Sequence, residues 1–171
     1  MPQQLLVLRH AIALEREKAA AQGMSDGERP LTDKGRRRME QAASALGSLF
    51  DRPALLLSSP LLRARQSAEI LAAHYRNPTL LMSHELAPDQ PPQRLLKALQ
   101  KQQPAGQLVI IGHEPQLSTL IALLLCGESH PFITLKKGGA ALLEFAQGID
   151  SGSATLSWLL QPKQLRQLGK G

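Results

Sequence analysis

"ALLLSSPLLRARQSAEILAAHY", residues 54–75, changes rhythm partway along. Ala54 to Ser59 is a short unbroken apolar run ending on two serines, the form of a strand buried on both faces. From there Ser59 stands as an N-cap, Pro60 takes the first helical position, and a helical pattern continues to about Tyr75. A buried strand passing directly into a helix is the repeating half of a parallel sheet, and the pattern recurs on both sides. Upstream, "QLLVL" (4–8) is a strand, "AQGMSDGERP" (21–30) a polar, glycine-bearing loop, and a helix capped by Thr32 runs to about Leu49. Met39, Ala42, Ala43 and Leu46 of that helix share one face. Downstream, "PTLLM" (78–82) is a weaker strand and "PPQRLLKALQKQ" (91–102) a helix using Leu95, Leu96 and Leu99. "QLVIIG" (107–112) is the clearest strand, followed by a helix from Pro115 to about Cys126 that Gly127 closes. "GAALLEFA" and "ATLSWLL", separated by "QGIDSGS", form an antiparallel edge pair. The expected fold is α/β, three-layer α/β/α, with a mostly parallel central sheet and an antiparallel edge.

No repeat, low-complexity tract or long linker divides the 171 residues, so one domain over 1–171 is expected. Apolar content of 43% supports a real core, and with 3% aromatics that core must be aliphatic. One cysteine excludes a disulfide framework or cysteine cluster. Cys126, inside "LIALLLC", reads as a buried, inert thiol. The start "MPQQLLVLRH" lacks the basic and apolar parts of a signal peptide. No run approaches the roughly 18 apolar residues of a membrane span. A soluble, cytoplasmic protein is expected, without membrane association. The net charge of +6 gathers in "KGRRR" (34–38) and "PKQLRQLGK" (162–170), neither of which interleaves aromatics that would stack on bases. The charge therefore reads as solvated surface that attracts acidic partners, and nucleic acid is not expected as a ligand.

Ligands on parallel sheets bind beyond the carboxyl ends of the strands. Three strands here end in chemistry: "LRHAIA", "SSPLLRARQ" and "IIGHEPQ" bring Arg9, His10, Arg63 and His113 to one rim. Taken singly, Arg63 is an ordinary first-turn arginine, like Arg65, and His113 a loop histidine; three such endings on one rim make a site. Two arginines and two histidines without neighbouring cysteines or acidic cluster suit a tetrahedral dianion rather than a metal ion, because guanidinium forks match phosphate oxygens. His74, Tyr75, His84 and His130 lack such company. A P-loop signature is absent, and "HEPQL" lacks the second histidine of a zinc hydrolase motif.

These three segments resemble, in order, the Arg-His-Gly, Ser-Pro-x-x-Arg-Ala and Gly-His signatures of the histidine phosphatase superfamily, whose fold is phosphoglycerate mutase-like. "ERPLTDKGRRRMEQAA", "ELAPDQPPQRLLKAL" and "LKKGGAALLEF … LSWLLQPKQL" resemble the SixA-type phosphohistidine phosphatases over nearly the whole chain. One position departs: Ala11 stands where the family usually has glycine, which would be mildly strained were its φ positive. The resemblance implies that His10 is the nucleophile, forming a phosphohistidine that water hydrolyses. It implies that Arg9, Arg63 and protonated His113 hold the phosphoryl oxygens, without metal or cofactor. Arg29, in "ERPLT", is a candidate substrate contact.

Ester-cleaving members usually present a carboxylic acid to the leaving alkoxide. The corresponding region, "SHELAPDQPP", offers Glu85 and Asp89 without a motif match to either. Imidazole, with a conjugate-acid pKa of about 6.5, leaves without strong proton assistance. A loosely defined acid and the short segment 83–106 therefore favour an open rim and a phosphohistidine carried by a phosphotransfer protein. The rivals are a small-molecule phosphomonoesterase of the same chemistry and an inactive phosphoprotein-binding module. An intact Arg9, His10, Arg63 and His113 set argues against the last.

Overall fold

The computed structural model describes residues 3–102 and 106–169. Residues 103–105 of the short segment and Lys170 of the basic tail lie outside them. In chain order the elements are β1 (Gln3–Arg9), α1 (Arg16–Ala21), α2 (Asp33–Leu49), β2 (Leu55–Ser58), α3 (Leu62–Ala72) and β3 (Leu80–Met82). There follow α4 (Pro92–Gln102), β4 (Gln107–Gly112), α5 (Gln116–Cys126), β5 (Ala140–Phe145), β6 (Ala154–Leu160) and α6 (Pro162–Leu168). The strands form one sheet in the order β3-β2-β4-β1-β5-β6. Its first four members are parallel, and β5 and β6 run antiparallel at the edge. This is the α/β architecture expected from the alternation of buried runs and helices.

Successive side chains of a strand face opposite ways, and the central strands are apolar on both sides. Leu5 and Val7, Leu55 and Leu57, and Leu108 and Ile110 pack against α4 and α5. Leu6 and Leu8, Leu56, and Val109 and Ile111 pack against α2, α3 and α6. The outcome is three layers. With Phe50 and Phe145 as the bulkiest buried side chains, the core is otherwise aliphatic.

Local chemistry fixes the element ends. Thr32 caps α2 through its side chain, which accepts from Gly35 N at 3.0 Å. Gly35 is obligatory for another reason: a Cβ there would overlap the carbonyl of Ile12. Gly127 closes α5 with φ +77°, in the left-handed region.

Several expectations need correction. The helix after β2 begins at Leu62, not Pro60, and its N-cap is Leu61, which makes no side-chain bond, rather than Ser59. Ser59 stays with the sheet because its N–H donates to Ile111 O at 2.9 Å, and its hydroxyl, although it accepts from Leu61 N at 3.3 Å, lies closer to His113 Nε2, at 2.7 Å. Cys126 is exposed rather than buried, because it is the last residue of α5, beyond the packed Leu123 and Leu124. The basic tail is partly structural: α6 buries Leu165 against α2. Ala11 is not among the non-glycine residues with positive φ, which among the described residues are Arg52 and Asn77, so alanine sits there unstrained. No helix among the described residues is long and apolar enough to cross a membrane.

Candidate active site

β1 and β4 are neighbours, with Arg9 in register with Gly112. The two turns that leave them therefore emerge side by side, and His10 N donates to Gly112 O at 3.1 Å. The imidazoles of His10 and His113 face each other with centroids 5.0 Å apart. α3 delivers Arg63 from the next strand along. Its Nε donates to His10 Nε2 at 3.3 Å. The four rim residues, with Arg29, line one cavity of about 340 Å³.

The His10 ring is held in one tautomer. Nδ1 lies 2.7 Å from Ala11 O, and a carbonyl only accepts, so Nδ1 carries the proton and Nε2 keeps its lone pair. Ser67 fixes the Ala11 peptide, accepting from Ala11 N at 3.0 Å while donating to Arg63 O at 2.8 Å. Burial, the nearby His113 and the arginines hold the His10 pKa well below the ordinary histidine value. A neutral, oriented imidazole follows.

Burial and then Arg63 push His113 down to about 3. The free site therefore holds it neutral, and the protonated form inferred from the resemblance requires the counter-charge of a bound anion. Ser59 Oγ sits 2.7 Å from His113 Nε2. That leaves His113 Nδ1, like Arg9 Nε, buried without a hydrogen-bond partner. Each such group costs about 1–3 kcal/mol while it lacks a partner.

The arginines have structural anchors. Arg9 donates to Leu135 O at 2.7 Å. Arg63 donates to Asp26 twice, to the carbonyl at 2.7 Å and the carboxylate at 3.1 Å. Arg29, 8% exposed, donates to the other Asp26 oxygen at 2.9 Å and to Leu14 O at 2.6 Å. Arg16 reaches the same carboxylate at 3.2 Å. Burial would raise the Asp26 pKa, but Arg63 and Arg29 outweigh it and hold the group below its ordinary value. Asp26 was not marked by any motif. Its only sequence signal was its place three residues before Arg29 in a loop expected at the same rim.

Glu85 and Asp89 do not line this cavity. Glu85 accepts from Ser83 Oγ at 2.6 Å, which holds its pKa low. Asp89 lines a neighbouring groove. The carboxylates on the cavity itself are Glu15 and Glu114, together with the cation Lys137. Glu114 accepts from Leu135 N at 3.1 Å, Ser118 N at 3.3 Å and Ser118 Oγ at 2.5 Å. Glu15 is exposed and pairs with Lys18 at 3.4 Å.

Two neutral imidazoles and buried guanidiniums around one cavity, at the carboxyl edge of a parallel sheet, make this an α/β protein with a cationic, histidine-lined site. The family model of the histidine phosphatase superfamily (branch 1) matches residues 5–86. An uncharacterized protein of Picosynechococcus sp. (strain PCC 7002) is 36% identical over 155 residues, spanning 90% of this chain and 88% of its own. The structure of the protein histidine phosphatase SixA complexed with tungstate superposes with a TM-score of 0.78 at 27% identity, over 95% of this chain and 99% of that one. In fold alone the chain also matches a phosphoserine phosphatase mutant of Entamoeba histolytica in complex with phosphoserine, at TM-score 0.69 and 17% identity, over 95% and 99% of the two chains. The chain belongs to the histidine phosphatase superfamily and is of the SixA type.

Proposed function

We propose that this phosphatase removes phosphate from a phosphohistidine on a partner protein in the cytoplasm, without a metal ion. The observation that carries the chemistry is His10 itself, with Nδ1 tied to Ala11 O and Nε2 presented to the cavity beside Arg63 Nε. In the first step the Nε2 lone pair, released from Arg63 Nε, attacks phosphorus; the bond to the substrate ring, protonated on its other nitrogen, breaks, and that ring departs with the electron pair as neutral imidazole. In the second, water attacks phospho-His10, releasing orthophosphate and restoring the ring. Arg9, Arg63 and His113 hold the equatorial oxygens, where fixed donors contribute most to rate, and Arg29 contacts the substrate. Among the described residues, no three His, Cys, Asp or Glu side chains gather into a metal site; the chelator arm of the test below decides whether a metal takes part.

The choice of a P–N bond rests on the absence of a committed acid. Glu85 and Asp89 stand off the cavity, and Glu114 is held by three donors from Leu135 and Ser118. One observation favours the second reading, a phosphomonoesterase: Glu15 lines the cavity and is free enough to reach a leaving oxygen. The test is hydrolysis of a phosphohistidine-bearing phosphotransfer domain against a panel of phosphate monoesters, with and without chelator. Preference for the protein, insensitivity to chelator, and loss of turnover with His10→Ala by at least about a thousandfold are expected. Faster turnover of monoesters, or activity unchanged in His10→Ala, overturns the reading.

A further inference from the structure

Beside the catalytic cavity lies a second, larger groove of about 590 Å³. It shares Arg16, Arg29 and Pro88 with the cavity, so the two adjoin. Its apolar wall is Ala19 and Ala20 of α1, Met24 in the loop that follows, Leu61 at the start of α3 and Ala87 after β3; Asp26, Gly27 and Asp89 complete the lining. Ala20 is exposed on α1 and lines the groove without lining the cavity.

We infer that this groove is the recognition subsite for the polypeptide around the phosphohistidine, and that it takes an aliphatic side chain one helical turn from the phosphorylated ring. The inference rests on the phosphohistidine reading above and specifies its partner. A phosphoryl group in the cavity leaves the rest of its substrate at the shared wall, where the groove begins. Of the groove's charged groups, Arg16 and Arg29 are already paired with Asp26. The methyl and thioether groups are therefore the part of the wall left for an uncharged side chain, and setting a polar ester's hydroxyls against them is unfavourable. On a helix, residues three or four apart stand about 5–6 Å from each other. An aliphatic neighbour of the phosphohistidine therefore reaches the groove while the ring reaches the cavity, and its burial is favourable.

The test compares two substrates that share the P–N bond: a helical phosphotransfer domain phosphorylated on histidine, and phosphoimidazole, which has no polypeptide. Ala20→Trp fills the groove from an exposed helical position. It is expected to raise KM for the phosphoprotein about tenfold while kcat/KM for phosphoimidazole stays within about twofold. Met24→Ser, which removes apolar wall without adding bulk, is expected to raise the same KM about threefold. Equal changes on both substrates, or an unchanged phosphoprotein KM in both variants, overturn the groove assignment. Failure of the functional reading looks different: the wild-type protein itself then hydrolyses phosphoserine and neglects the phosphoprotein, and the groove assignment falls with it.

Discussion

At His10 one proton decides the chemistry, and both histidines of the cavity are held neutral by burial and by neighbouring positive charge. The acid limb of kcat/KM is therefore expected well below the ordinary histidine pKa of about 6.5; a pH profile breaking at that value would show that neither ring is held neutral. Stability follows the same groups. A histidine whose folded pKa is depressed leaves the unfolded chain to bind the proton first. The fold is thus penalised as pH drops below about 6.5, by up to about 1.4 kcal/mol per pH unit for each such ring. For His113 the loss ends near pH 3, where the folded state also protonates. Urea midpoints measured from pH 7 to pH 4 should fall steadily, and should fall less in His113→Gln. Asp26 makes a separate prediction. Its carboxylate competes with phosphate for Arg63 and Arg29. Asp26→Asn keeps the carbonyl that anchors Arg63 but removes the charge, so orthophosphate is expected to inhibit at about threefold to tenfold lower concentration. A higher inhibition constant would mean instead that the carboxylate matters for holding the arginines in place.

Among the elements, the helices next to the site depend on a few close approaches. Gly35 lets the first turn of α2 meet the Ile12 carbonyl, to which Thr32 N also donates at 3.0 Å. Gly35→Ala forces these backbones apart. It should cost about 1–3 kcal/mol, seen as a lower Tm together with weaker phosphate binding, since Ile12 lies two residues from His10. The long, strongly patterned elements were legible: β4 matches its expected bounds, and α2 ends where its apolar face ends. Shorter elements were not. α1 and α6 span only six and seven residues, too few turns for periodicity to speak, and α6 is held by a single fully buried leucine. Ser59 misled for a physical reason. A serine before a proline is good capping chemistry, but here its hydroxyl meets His113, a contact that exists only once β2 and β4 are paired. The candidate rim residues were visible because strand ends announce themselves locally. Their supports, Asp26, Ser67 and Leu135, come from loops and a helix face that only the folded chain brings near.

For the molecule as a whole, a net charge of +6 on a small body should draw an acidic partner. Turnover of a phosphoprotein is therefore expected to fall several-fold between about 0.05 and 0.5 M salt as screening shortens, with phosphoimidazole much less affected. Equal salt dependence of the two substrates would place the effect inside the cavity. The layered arrangement behind this surface was readable from the alternation of runs and helices alone. The order of the strands was not, because nothing local tells β1 which neighbours it will take.

That order has a temporal side. β1, which ends just before His10, lies between β4 and β5, so its two flanks come from residues 107–112 and 140–145. A ribosome must deliver most of the polypeptide before the earliest-made strand has either companion. Until then an apolar ribbon waits unpaired, open to chaperones and to self-association. A message cut short anywhere before β5 is complete yields no feeble hydrolase, only a chain to be degraded.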